Sequence, residues 1–224
     1  MNRQSQSRRA GVLLHPSSLP GDGYSGSFGN DARRFVDLLV EAGLQVWQVL
    51  PLGPTHEDLC PYQSFSVHAG NPDFIDLDWL VERGWLSADL ARQGQATPRA
   101  KHLAIGLASR AFFAQLATGV DVSTAQAYRE FLQRSEFWLE DYARFQAFHD
   151  DLDGRSWSLW PEGLRNRERN VCDTRARQLE QQISEVRFCQ FVFDCQWFEL
   201  RRYANERGVK LFGDMPIYVH YESA

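Results

Sequence analysis

Two short apolar runs near the start of the chain, GVLL at residues 11–14 and VWQVL at residues 46–50, each break at once into a loop of Pro, Gly, Ser and aromatic residues. The loops read HPSSLP at 15–20 and PLGPTHEDLCPYQSFSVHAGNP at 51–72. The second run has almost no polar alternation, which predicts a strand covered on both faces. Loops of this composition at strand ends are where a site is built. Between the runs, Phe35, Leu38, Leu39 and Ala42 recur at helical spacing; Asn30 or Asp31 stands where a cap would open a helix near Ala32, and Gly43 where one would close it. Strand, helix, strand in this order predicts parallel pairing through a right-handed crossover.

From about Trp79 to Leu179 the pattern becomes helical. Tyr128, Phe131, Leu132, Ser135, Trp138, Leu139, Tyr142, Phe145 and His149 fall on one stripe, with Arg129, Glu130, Glu136, Glu140 and Asp141 mostly opposite. WSLWP at 157–161 reads as a returning loop, and residues 166–177 as a charged, exposed helical lead-in. Residues 183–203 are apolar nearly all round, which predicts a helix clamped between two bodies. Gly208 ends it, and a third strand, 209–212, delivers Asp214 at its C-terminal end.

The chain is 43% hydrophobic and 24% charged with a formal net charge of −5, an ordinary globular balance able to bury a sizeable core. Scattered Arg residues on a mildly acidic chain give no footprint for nucleic acid. Cys60, Cys172, Cys189 and Cys195 show no C-x-x-C pair and no His partners at metal-ligand spacing, so reduced thiols are expected and no metal is signalled. The apolar runs near the N-terminus are too short for a secretory core or a membrane span, which makes the cytoplasm the plain expectation. Of the seven Trp, seven Tyr and fifteen Phe, most are expected in cores, Trp47 and Trp85 among them, and a minority on sugar rings.

The motifs HPSSLP, VWQVLPLGPT, PYQSFSVHAGNP and GDMPIYV, in this order, resemble the N-terminal part of amylomaltase-type 4-α-glucanotransferases, from about Gly11 to Ala224. The resemblance implies an α/β fold, the N-terminal portion of a (β/α)8 barrel with about three strands and a long helical insertion between the second and third. The expected organisation is a disordered tail at 1–10, a first part of the barrel at 11–78, an inserted helical subdomain at 79–179, and a return helix with the third strand at 180–224. The implied reaction is retaining transfer of α-1,4-glucan segments without a cofactor, acting on maltooligosaccharides and on starch or glycogen-derived glucans. The catalytic nucleophile and acid/base of such enzymes lie on later strands, so none is expected here. The missing part of the barrel is expected to be required, and the chain alone to be inactive and marginally stable. A maltodextrin-binding module and an α-glucan hydrolase are the alternatives.

Asp214, at a strand end, matches a carboxylate that supports the catalytic centre of the family. Tyr62 matches a tyrosine lining its donor subsites, since an aromatic face with a hydroxyl tip suits a glucose ring. Cys60 stands where many members have Ser. Gln63, His15 and Asn71 are weaker candidates that equally suit loop bracing. The chain also departs from the family pattern at HEDL, residues 56–59, and at His220 and Glu222. His56, Glu57 and Asp58 are expected to form a solvated tip, and the segment around His220 to fray.

Overall fold

The computed structural model describes residues 8–21 and 23–224. The expected disordered tail therefore lies, for residues 1–7, outside the described residues. Three parallel strands, β1 (Gly11–Leu13), β2 (Val46–Gln48) and β3 (Lys210–Phe212), form one sheet in the order β1-β2-β3. Gly11, Val46 and Lys210 are in register, as are Val12, Trp47 and Leu211, then Leu13, Gln48 and Phe212. Helix α1 (Asn30–Glu41) makes the first crossover.

Alternation along a strand sends every second side chain to the same face. Val12, Trp47 and Leu211 share the face that packs on Ala32, Val36 and Leu39 of α1 and on Leu200 and Ala204 from further along the chain. Trp47 is fully buried, meets Phe35 edge-on at 4.9 Å, and donates its indole N–H to Leu14 O at 2.8 Å. The opposite face differs from the expectation of full cover. Val46 and Gln48 of β2 are only half-buried on it, and their neighbours Leu13 and Phe212 are 53% and 59% exposed, because the described residues place no second layer against it.

The segment between β2 and β3 folds as α2 (Leu77–Glu82), α3 (Ala88–Gly94), α4 (Pro98–Ala117), α5 (Val122–Asp151), α6 (Glu162–Arg165), α7 (Arg169–Gln178) and α8 (Glu180–Glu206). Four of these start on a side-chain cap: Asp76, Ser87, Thr97 and Asp121 each accept from a backbone N–H of the first turn. Helix α1 does not. It begins at Asn30 with Gly29 at the cap position, one step ahead of the expected caps, and Asp31 instead lies in the first turn, where its charge favours the helix dipole. Gly43 and Gly208 take the left-handed conformation that ends α1 and α8, as their positions predict.

Two cores form among the helices. Trp85, Phe112, Tyr128, Phe188 and Phe191 centre the larger; Phe148, Trp160, Leu164 and Ile183 centre the smaller. Helix α8 serves all three cores of the molecule, through Ile183, then Phe188 and Val192, then Leu200 and Ala204. An apolar surface all round is what such an axial helix requires, each fully buried Phe or Leu adding about 1.5–3 kcal/mol of transfer free energy. Among the described residues no single helix is long and apolar enough to cross a membrane.

Candidate functional site

The loop after β2 is built from its own backbone. Thr55 and Ser64 form an isolated antiparallel bridge, and Phe65 N–H donates to Pro54 O at 3.1 Å. The buried Ser64 hydroxyl lies 2.9 Å from Pro54 O and 2.8 Å from Ser66 O and donates to one at a time. These ties hold residues 54–66 as a narrow tongue with Tyr62 near its tip.

The tongue carries Tyr62 to Asp214. The phenol donates to Asp214 Oδ2 at 2.7 Å, joining residues 152 positions apart, and Asp214 Oδ1 accepts from Met215 N–H at 2.8 Å. Bonding to this carboxylate raises the Tyr62 pKa, so the phenol stays neutral and keeps its proton as a donor. Both residues are exposed at the C-terminal end of the sheet. A neutral aromatic ring beside an acceptor-only carboxylate offers a sugar an apolar stacking face and two hydroxyl acceptors.

The other candidates divide. Asn71 is buried and braces: its Oδ1 accepts from Asp73 N–H at 2.9 Å and its N–H donates to Leu52 O at 2.8 Å. His15 ties the ends of β1 and β2 together, donating from Nε2 to Pro51 O at 3.3 Å and accepting at Nδ1 from the Ser17 hydroxyl at 2.8 Å. Burial lowers its pKa, in keeping with the neutral tautomer these two partners require. Cys60 is half-buried and bonds through its backbone, N–H to Asp58 Oδ1 at 3.1 Å and O from Gln63 N–H at 3.0 Å. Gln63 is exposed on the tongue beside Tyr62.

Two expectations fail here. Glu57 and Asp58 are exposed, but His56 turns inward, its ring 3.9 Å from Phe65 and 4.1 Å from His220. Nor does the segment around His220 fray. Glu222 accepts from the Ser156 hydroxyl at 2.6 Å and Trp157 N–H at 3.2 Å, the Trp157 indole donates to Tyr221 O at 2.7 Å, and Ala224 N–H donates to Phe65 O at 2.8 Å. Local sequence reads these residues as loop, whereas their partners come from residues 156–157 and from the tongue.

Sequence reasoning missed two braces of the loop. Gln190 and Gln196, buried on α8, each clasp one residue by both backbone groups. Gln190 accepts from Gly70 N–H at 2.7 Å and donates to Gly70 O at 2.9 Å; Gln196 does the same to Asp76 at 2.8 and 3.0 Å. At Gly70 a Cβ would lie 2.3 Å from the Phe193 ring, so only glycine lets the backbone approach. A glutamine inside an apolar helical stripe is the signal that pointed to them. A cavity of about 630 Å³ lies elsewhere, lined by Arg144, Phe145, Trp157 and Trp160 and by neither Tyr62 nor Asp214. The Tyr62–Asp214 pair stands on an open, exposed rim.

The 4-alpha-glucanotransferase family model, glycoside hydrolase family 77, matches residues 14–224. The 4-alpha-glucanotransferase of Synechocystis sp. is 38% identical over 223 residues, covering 97% of this chain and 44% of the relative. That of Thermus thermophilus is 39% identical over 219 residues, with the same coverage. The chain thus spans less than half the length of these relatives. Among solved structures, the amylomaltase from Streptococcus agalactiae in complex with acarbose aligns with TM-score 0.89 and 34% identity, over 97% of this chain and 45% of that one. The amylomaltase from Corynebacterium glutamicum shares the fold, with TM-score 0.65 at 18% identity over 95% of this chain and 31% of that one. The three parallel strands and their helices are accordingly part of a (β/α)8 barrel, and the chain belongs to the 4-alpha-glucanotransferase family.

Proposed function

We propose that this chain forms donor-side loops of an enzyme that moves α-1,4-glucan segments onto the 4-hydroxyl of an acceptor glucose or maltodextrin. Tyr62 stacks on a donor sugar ring, and Asp214 accepts its hydroxyls and orders the tyrosine. Gln63 and Cys60 lie beside them on the same tongue, while His15 and Asn71 hold the strand-end loops in place. Residues 79–179 act as an inserted helical subdomain between two parts of the barrel. The enzyme works in the cytoplasm on maltooligosaccharides and on starch or glycogen-derived glucans, without a cofactor.

Retaining transfer uses a carboxylate nucleophile and a second carboxyl group about 5–5.5 Å away that first protonates the leaving oxygen and then deprotonates the acceptor. Tyr62 has one carboxylate partner among the described residues, Asp214, which suits binding and support and leaves the displacement to carboxylates on later strands. This chain alone therefore carries no transferase activity.

The observation that carries the reading is the hydrogen bond from Tyr62 to Asp214, which brings the two motif residues together at a strand end. Disproportionation of maltotriose by the whole protein tests it. Tyr62→Phe lowers kcat/KM roughly tenfold or more, the scale of losing a hydrogen bond to a charged group, and Tyr62→Ala lowers it further by raising KM. Unchanged kinetics in both variants would refute the assignment.

A further inference from the structure

His56, His149 and His220 come from the tongue, from α5 and from the segment after β3, and all three close on the same ring or on each other. The His56 ring is 3.9 Å from Phe65 and 4.1 Å from His220, and the His149 ring meets Phe65 edge-on at 5.2 Å. Two nitrogens in this cluster, His56 Nε2 and His149 Nδ1, are buried without a hydrogen-bond partner among the described residues. A neutral imidazole can leave one nitrogen bare at modest cost, whereas an imidazolium at His56 would bury a charged donor with no partner at Nε2. His220 Nδ1 accepts from Glu222 N–H at 3.2 Å, a role that requires a deprotonated nitrogen. The surroundings of His56 favour a neutral ring.

The tongue also carries its own tension. Between His56 and Tyr62, Leu59 sits at φ 55° with its side chain exposed, a left-handed conformation that a γ-branched residue adopts only under constraint.

We propose that His56 is a positioning residue: packed at a tilt against His220, it clasps the tongue, and with it Tyr62, against the segment that carries Asp214, and acid opens the clasp. The groups facing His56 are Asp58 on its own loop, His220 and Glu222 after β3, and His149 on α5 beside Asp150. Burial is the largest influence and lowers the His56 pKa; a charged His220 lowers it too, against Asp58 and Glu222. The freed imidazole, titrating near 6.5, takes its proton before the docked one does. Docking is thus complete above about pH 6.5 and is lost as the pH falls below it. The clasp bears on the glucan site proposed above, but its test does not depend on the reaction.

Backbone amide exchange of residues 54–66 in the intact protein, corrected for the intrinsic effect of pH, is read at pH 7.5 and 5.5. Opening increases several-fold across that interval, with a ceiling of about tenfold set by the one pH unit that lies below the free imidazole value. In His56→Gln and in His220→Asn the ratio falls to about one, while His102→Gln, at an exposed histidine on α4 that faces Asp73 and lies outside the cluster, leaves it unchanged. Exchange in α8 identifies a variant that has failed to fold, in which case the other decides. Equal protection of the wild type at both pH values, or the wild-type change persisting in His56→Gln, overturns the proposal.

Discussion

Lys101 shows how far a buried environment can move a single charge. It lies on α4 at only 4% exposure, its ammonium donating to Asp73 O and standing 5.7 Å from the Tyr24 ring, itself bonded to Asp73. Burial brings its pKa down from 10.5 to about 8, against the pull of Asp73 and Asp76. Above about pH 8 the folded chain therefore gives up a proton that the unfolded chain keeps to about 10.5, and stability gains about 1.4 kcal/mol per pH unit from this group. Buried Cys189 and Cys195, whose pKa values rise from 9.0 to about 12, oppose the gain above pH 9, since there only the unfolded chain ionises its thiols. The measurement is urea unfolding at pH 8 and pH 9: relative to Lys101→Met, the wild type gains about 1 kcal/mol over that step, and parallel curves would rule the assignment out. Nothing in the sequence around Lys101 announces this. A lysine four residues into a helix reads as surface, and only the loop folded over it from Pro72 to Asp76 makes it interior.

At the scale of the element, α8 is the part of the fold that the sequence described best and explained least. Its apolar girth is legible between Ile183 and Tyr203, and the need for two neighbours follows from it. The purpose of Gln190 and Gln196 is not, because periodicity scores a glutamine in an apolar stripe as a gap, whereas each one stands in for a missing strand by bonding both backbone groups of one residue. Removing one such side chain strands a buried donor and acceptor, each worth about 1–3 kcal/mol. Gln190→Leu is expected to cost roughly 2–4 kcal/mol in denaturant unfolding of the intact protein, and a loss below about 0.5 kcal/mol would mean that water replaces the amide. The site divides in the same way. Tyr62 and Asp214 were readable because each lies in a motif at a strand end, while the meeting of His56, His149 and His220 depends on three elements whose approach no local pattern encodes.

Over the whole molecule, strand number and direction came from motif order and from the βαβ start, but which face of the sheet would be covered did not. Trp47 marks the covered face, and Leu13 and Phe212 remain on the other, followed by exposed Met215, Ile217 and Val219 beyond β3. Apolar surface of this kind beside two strand edges invites association. The 224-residue chain on its own is expected to unfold in urea with a shallow, early transition and to associate as its concentration rises; a steep transition with a slope typical of its size would contradict this. The register of that sheet also sets a timetable. β2 pairs with β3 through Val46 and Lys210, about 160 residues apart, and at synthesis rates of about 5–20 residues per second β2 leaves the ribosome roughly 8 to 30 s before its partner. Helices α2 to α7 are complete before α8, the helix that joins them to the sheet, has been made, so during synthesis the cell holds a two-stranded edge and an unanchored helical body on one nascent chain, a state in which chaperones find their substrate.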